Sequence, residues 1–146
     1  MRIAAVVVAG LAGCFPTYQP GSFPVAAEQL GCLDVSVLAT VRAEAVGPVV
    51  VVYLGNRCDH RIAIDLTRLA VVGGDDAGAR TALAPYDPAH EITAAGLDAR
   101  GVGEEWIEYQ PPGGAAAAFA WLDVDVGRIA ADEPGQVRWI RAQVPR

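Results

Sequence analysis

Few residues in this chain are of types that could do chemistry on their own. The two histidines, His60 and His90, sit in Asp59-His60-Arg61 and Pro88-Ala89-His90-Glu91. These turn-rich settings suit a solvated imidazole, and two histidines set a low ceiling on histidine catalysis and zinc binding. The sole methionine is Met1, which removes thioether copper sites. No Gly-x-Ser-x-Gly elbow is present, and past the N-terminal stretch the only serine is Ser36, so serine hydrolase chemistry is excluded. The glycines at 101, 103, 113 and 114 neither follow a strand nor open a helix, so they read as loops and not as a phosphate cradle.

Carboxylates are the remaining candidates. Glu104, Glu105, Glu108 and Asp123 are of the right type for acid/base hydrolysis, but nothing in their spacing gathers two of them in one pocket. Asp123 and Asp125 flank Val124 and project from one face of a predicted strand, and Asp75-Asp76 lies in a predicted turn. Neither forms the dense loop that supplies calcium with about six oxygens. The expectation is therefore no catalytic residue, no metal and no cofactor. Trp106, Trp121 and Trp139, with Tyr53, Tyr86 and Tyr109, are expected to fill a core, and any of them found exposed would mark a binding face.

The N-terminus carries a different signal. Met1-Arg2 is followed by eleven residues, 3 to 13, without a polar side chain. One positive charge ahead of a short apolar run is the pattern of a secretory signal, and the run is too short to span about 30 Å of hydrocarbon. It ends in Leu11-Ala12-Gly13-Cys14, which resembles the lipobox of bacterial lipoprotein precursors. That resemblance implies cleavage behind Gly13 and acylation of Cys14, with ordinary signal cleavage or a buried apolar strand as the alternatives. Phe15, not an acidic residue, follows the cysteine, which in Gram-negative members of that class points to the outer membrane. Residues 15 to 24 hold three prolines, so the segment is expected to be a semi-extended spacer able to reach about 50 Å at roughly 3.3 Å per residue.

Once Cys14 is assigned to lipid by that resemblance, Cys32 and Cys58 remain as an even pair suited to a disulfide in an exported chain. Two separate buried thiols are the alternative. With a turn at residues 45 to 48, Glu44 faces Val49 and Cys32 faces Arg61, so the bridge requires the chain to bend back at residues 56 to 60. Such a bridge contributes about 3 kcal/mol in the chain-entropy model.

The elements that would position these residues read as strands. Residues 33 to 43 alternate apolar and polar, predicting one core face and one largely solvated face. Residues 49 to 54 are continuously apolar, as in a central strand covered on both sides. Ile62, Ile64 and Leu66 alternate; Leu69 to Val72 run into the turn Gly73-Gly74-Asp75-Asp76; and Arg80 to Leu83 suit a return strand. Residues 104 to 109, 118 to 124 and 136 to 142 complete the set. No stretch carries an apolar helical stripe.

The predicted fold is all-β: a single antiparallel β-sandwich of seven or eight strands. Its pattern is similar to immunoglobulin-like sandwiches, without their Cys-Trp-Cys signature, and that similarity carries over no functional residue. The domains are then residues 1–13, signal peptide; 14–29, anchor and spacer; and 30–146, sandwich. A net charge of −6, or −7 once Arg2 is removed, with all 11 basic residues arginine and dispersed, argues against nucleic acid. The expected function is non-catalytic binding or scaffolding at the cell envelope. The partners are the membrane, through Cys14, and another envelope protein. The layout is also similar to small type VI secretion lipoproteins, which an exposed hydrophobic loop or edge strand would favour. A carboxylate-dependent periplasmic hydrolase is the alternative from another class, and it needs a pocket gathering Glu104, Glu105 or Asp123.

Overall fold

The computed structural model describes residues 17–86, 94–114, 118–131 and 135–146. Cys14 and His90 lie outside them. The protein is all-β, a sandwich of antiparallel strands. In chain order the strands are β1 Glu28–Leu30, β2 Leu33–Thr40, β3 Val49–Asn56, β4 Ile62–Asp65, β5 Ala70–Gly74, β6 Arg80–Pro85, β7 Ala94–Leu97, β8 Val102–Gln110, β9 Trp121–Asp125 and β10 Trp139–Gln143. Among the described residues there are ten strands where seven or eight were expected. The two that the sequence did not suggest are the three-residue β1 and β7, whose Ala-Ala-Gly-Leu sequence has no β-branched residue to announce it.

Eight strands follow the order β1-β2-β3-β8-β6-β5-β9-β10, while β4 and β7 form a separate pair. The ladder folds at a corner where only Ala84 and Pro85 of β6 pair with Gln110 and Tyr109 of β8. On one side of the corner lie β1, β2, β3 and β8; on the other lie β6, β5, β9 and β10, with β9 and β10 packed over β2. Alternation then fills the space between them. Val35, Val37, Val50, Val52 and Leu54 meet Ile107, Tyr109, Leu122 and Val124, all buried in one cluster. Each such side chain contributes about 1.5–3 kcal/mol on leaving water.

The turn between β2 and β3 is longer than expected. Leu33 pairs with Asn56 and Thr40 with Val49, so the Glu44–Val49 register is incorrect and the connection runs from Val41 to Pro48. Because the offset is even, every side chain keeps its face. The corrected register sets Cys32 opposite Arg57, next to Cys58, and the long return bend is not needed.

Two further expectations change. The polar face of β2 is covered: Asp34 and Ser36 are buried, and the Ser36 hydroxyl donates to the Val25 carbonyl at 3.0 Å. The covering is the N-terminal stretch itself, in which Tyr18 is buried, Phe23 stacks on Tyr18 and lies 5.7 Å from Tyr53, and β1 pairs with β2. These contacts take Tyr18 to Gln29 out of the spacer expected for residues 14–29. The tryptophans are not core fillers either. Trp106 and Trp139 are 40% and 47% exposed, because Ile107 and Tyr109 hold the inward phase of β8 and Trp106 takes the other.

Candidate functional site

The strands run between two poles. The first is built around Cys32 and Cys58, which are bridged with Cα atoms 5.4 Å apart, within the range a disulfide spans. Beside them the fully buried Asn56 amide donates to the carbonyls of His60 at 2.8 Å, Leu97 at 3.1 Å and Asp98 at 2.9 Å. Its Oδ1 accepts from the Cys58 N–H at 2.8 Å. One side chain therefore ties the β3–β4 connection to the β7–β8 connection.

The N-terminal stretch locks onto the same pole. The Tyr18 N–H donates to the Arg100 carbonyl at 2.7 Å, and its ring lies where a Cβ on Gly55 would stand, 2.2 Å away. Only glycine at 55 admits it. The Tyr18 hydroxyl donates to Asp34 Oδ2 at 2.8 Å, while Arg57 Nε donates to Asp34 Oδ1 at 2.9 Å. Burial, and then the hydrogen bond to Asp34, push the Tyr18 phenol up to about 12.

At the opposite pole lies a groove of about 670 Å³. The β2–β3 loop supplies Val41, Val46 and Pro48, and Phe119 and Val144 form much of the facing wall. The loop is latched from β8, where the Glu108 carboxylate accepts from the backbone N–H groups of Val46 and Gly47. At the rim Arg146 Nη2 donates to both Asp76 oxygens, at 2.9 and 2.7 Å. Asp75 accepts from the Ala79 N–H at 2.8 Å. Apolar walls with a guanidinium and carboxylates at the rim suit the burial of an apolar group and the orientation of a polar one.

The carboxylates singled out in the sequence are dispersed. Glu104 and Glu105 point to opposite faces of β8 by alternation, and Glu104 accepts from the Trp106 indole N–H. Asp123 lies on the other sheet, where Arg141 grips it at 2.7 and 2.9 Å and Arg80 reaches it at 3.0 Å. The hydrogen bonds from Arg141 hold its carboxyl below the usual aspartate range, reinforced by Arg80 and opposed by burial. Both guanidiniums also lie over Trp121, at 4.0 Å for Arg141 and 5.1 Å for Arg80. Asp125 accepts from the Gly127 and Arg138 N–H groups. Asp123 and Asp125 do share a face, as alternation requires, but each is committed to its own partners.

His60 is exposed beside Asp59, at 3.1 Å. Among the described residues no three His, Cys, Asp or Glu side chains gather as a metal site, and no helix is long and apolar enough to cross a membrane. The sequence reading missed Tyr18, Asn56 and the groove. Asn56 falls in the bend that the sequence places at residues 56 to 60 and Tyr18 in its spacer, and the groove joins segments about 100 residues apart in the chain. Comparison with protein-family models, with curated proteins and with solved structures found no match.

Proposed function

We propose that this chain is a lipoprotein of the bacterial cell envelope, anchored through Cys14, whose β-sandwich acts by binding or scaffolding and not by catalysis. The anchor rests on the sequence, on the apolar run closed by Leu11-Ala12-Gly13-Cys14. The binding role rests on the 670 Å³ apolar groove, which none of Glu104, Glu105 and Asp123 lines. The carboxylates that do line the groove, Asp75 and Asp76, are engaged by the Ala79 N–H and by Arg146, which gives the hydrolase alternative no support. Within the binding class, an assembly role of the type VI secretion kind draws on Val41 and Val46, which are 55% and 52% exposed on the groove's loop.

Intact mass of the protein from its native membrane fraction, with and without reduction before alkylation, tests the anchor. The expected species begins at an acylated Cys14 and has two further cysteines that alkylate only after reduction. An unprocessed chain with three free thiols overturns it. For the groove, a photo-crosslinking side chain at position 46 should give a discrete adduct in native cells that the same group at position 99 does not. Identical behaviour at both positions removes the groove as the binding surface.

A further inference from the structure

The docked N-terminal stretch sets how an anchored domain would stand on its membrane. We infer that the disulfide pole is the face turned to the bilayer, and that the groove is thereby held pointing away from it. The inference rests on the Cys14 anchor proposed above.

Three observations carry it. Tyr18 is fixed to the disulfide pole by its N–H on Arg100, its ring over Gly55 and its hydroxyl on Asp34. Only three residues, Phe15 to Thr17, separate Tyr18 from Cys14, and the four steps between them reach about 14 Å at full extension. The expected 50 Å stalk is therefore replaced by a short tether leaving from one pole. The groove lies at the other ends of β2 and β3, about 25 Å further on at roughly 3.3 Å of rise per residue.

Charge is the third observation. Residues 32–34, 56–61 and 98–101 form the pole and carry three arginines, Arg57, Arg61 and Arg100, against three aspartates, Asp34, Asp59 and Asp98, with His60 beside them. The rest of the chain beyond Cys14 carries seven arginines against fourteen acidic residues. An anionic bilayer surface repels such a body, and its field decays within about a Debye length, near 10 Å. The face that approaches most closely thus carries no net charge, while the rest of the chain beyond Cys14, taken together, is net negative. Arg100 and Arg61 are exposed there, placed to meet lipid phosphates.

The test uses protein recovered from its membrane fraction and reconstituted in vesicles of phosphatidylethanolamine and phosphatidylglycerol, doped with a lipid bearing a headgroup nitroxide. A dye at position 99 should be quenched several-fold more than the same dye at position 77, on the groove's rim. Extending the tether with a Gly-Ser insertion between residues 16 and 17, which leaves the domain untouched, should reduce quenching at 99. Tyr18→Ala should reduce it as well. Equal quenching at the two positions in protein that floats with the vesicles overturns this inference and leaves the anchor standing. Protein that does not float overturns the anchor. Coupling its free Cys14 thiol to a maleimide lipid then decides the orientation by the same comparison.

Discussion

The two poles of this sandwich are held together by different means. At the disulfide pole a covalent bridge, a buried amide with four hydrogen bonds and a docked tyrosine cross-link segments far apart in sequence. At the groove pole the loops are fastened by the Glu108 latch and an exposed ion pair between Arg146 and Asp76. The covalent bridge and the buried side-chain bonds just named lie at the pole where the N-terminal stretch docks, and the apolar cavity lies at the other. Ligand-binding regions are commonly drawn from the less stable parts of a fold.

Removing the bridge should break this contrast most strongly. Cys58→Ser, in a background whose Cys14 is also replaced, is expected to cost about 3 kcal/mol and lower Tm by about 10 °C in calorimetry. Asn56→Ala removes a donor from three carbonyls, of which that of Asp98 keeps the Gly101 N–H, and the acceptor of the Cys58 N–H. A loss of about 2–3 kcal/mol in urea titration is expected, with faster amide exchange at residues 57–61 and 97–101. At the other pole Glu108→Ala, which releases the Val46 and Gly47 N–H groups, should cost less, about 1.5 kcal/mol. Its exchange effects should be confined to the β2–β3 loop, and spread to the disulfide pole would show that the poles are one cooperative unit.

Alkali should act on the disulfide pole through Tyr18, beside a second phenol raised by burial and by Glu104, Tyr53 of β3. Because the folded Tyr18 phenol is raised to about 12 from an ordinary 10, the stability it contributes is whole below pH 10 and lost as pH climbs toward 12. Tyr18→Phe should remove that part of the alkaline transition, and an unchanged transition would mean that the tyrosine is not docked. The smallest effect belongs to the groove rim. Arg146→Ala is expected to change stability by no more than about 0.5 kcal/mol, since both partners are largely exposed. A larger loss would show that the tail helps to build the groove.

How much of this was legible can be judged strand by strand. The eight predicted strands all exist, because period-two alternation and Gly/Pro turns report directly on local backbone preference. The register of β2 against β3 was not legible. Its determinant, Glu108 gripping the loop, comes from a strand some 60 residues away. Phase failed for the tryptophans, since in residues 104 to 109 both faces carry an aromatic side chain and alternation alone does not say which is inward. The candidate site fared worse than the fold. The cysteine pair was found by counting, but the groove is lined by four separate segments, none of which carries a motif.

The sequence by itself determined the all-β class, the approximate places of eight strands, the absence of familiar catalytic motifs and the resemblance at Cys14, all of which depend on composition or on neighbours within about ten residues. Tertiary structure decided which faces are covered, which carboxylates are engaged and where a cavity opens. Asp34 looks solvated until Tyr18 folds over it, and Gly55 looks incidental until that ring occupies the place of its missing Cβ. Burial and pairing are properties of residues brought together by chain closure, and spacing along the chain does not encode them one segment at a time.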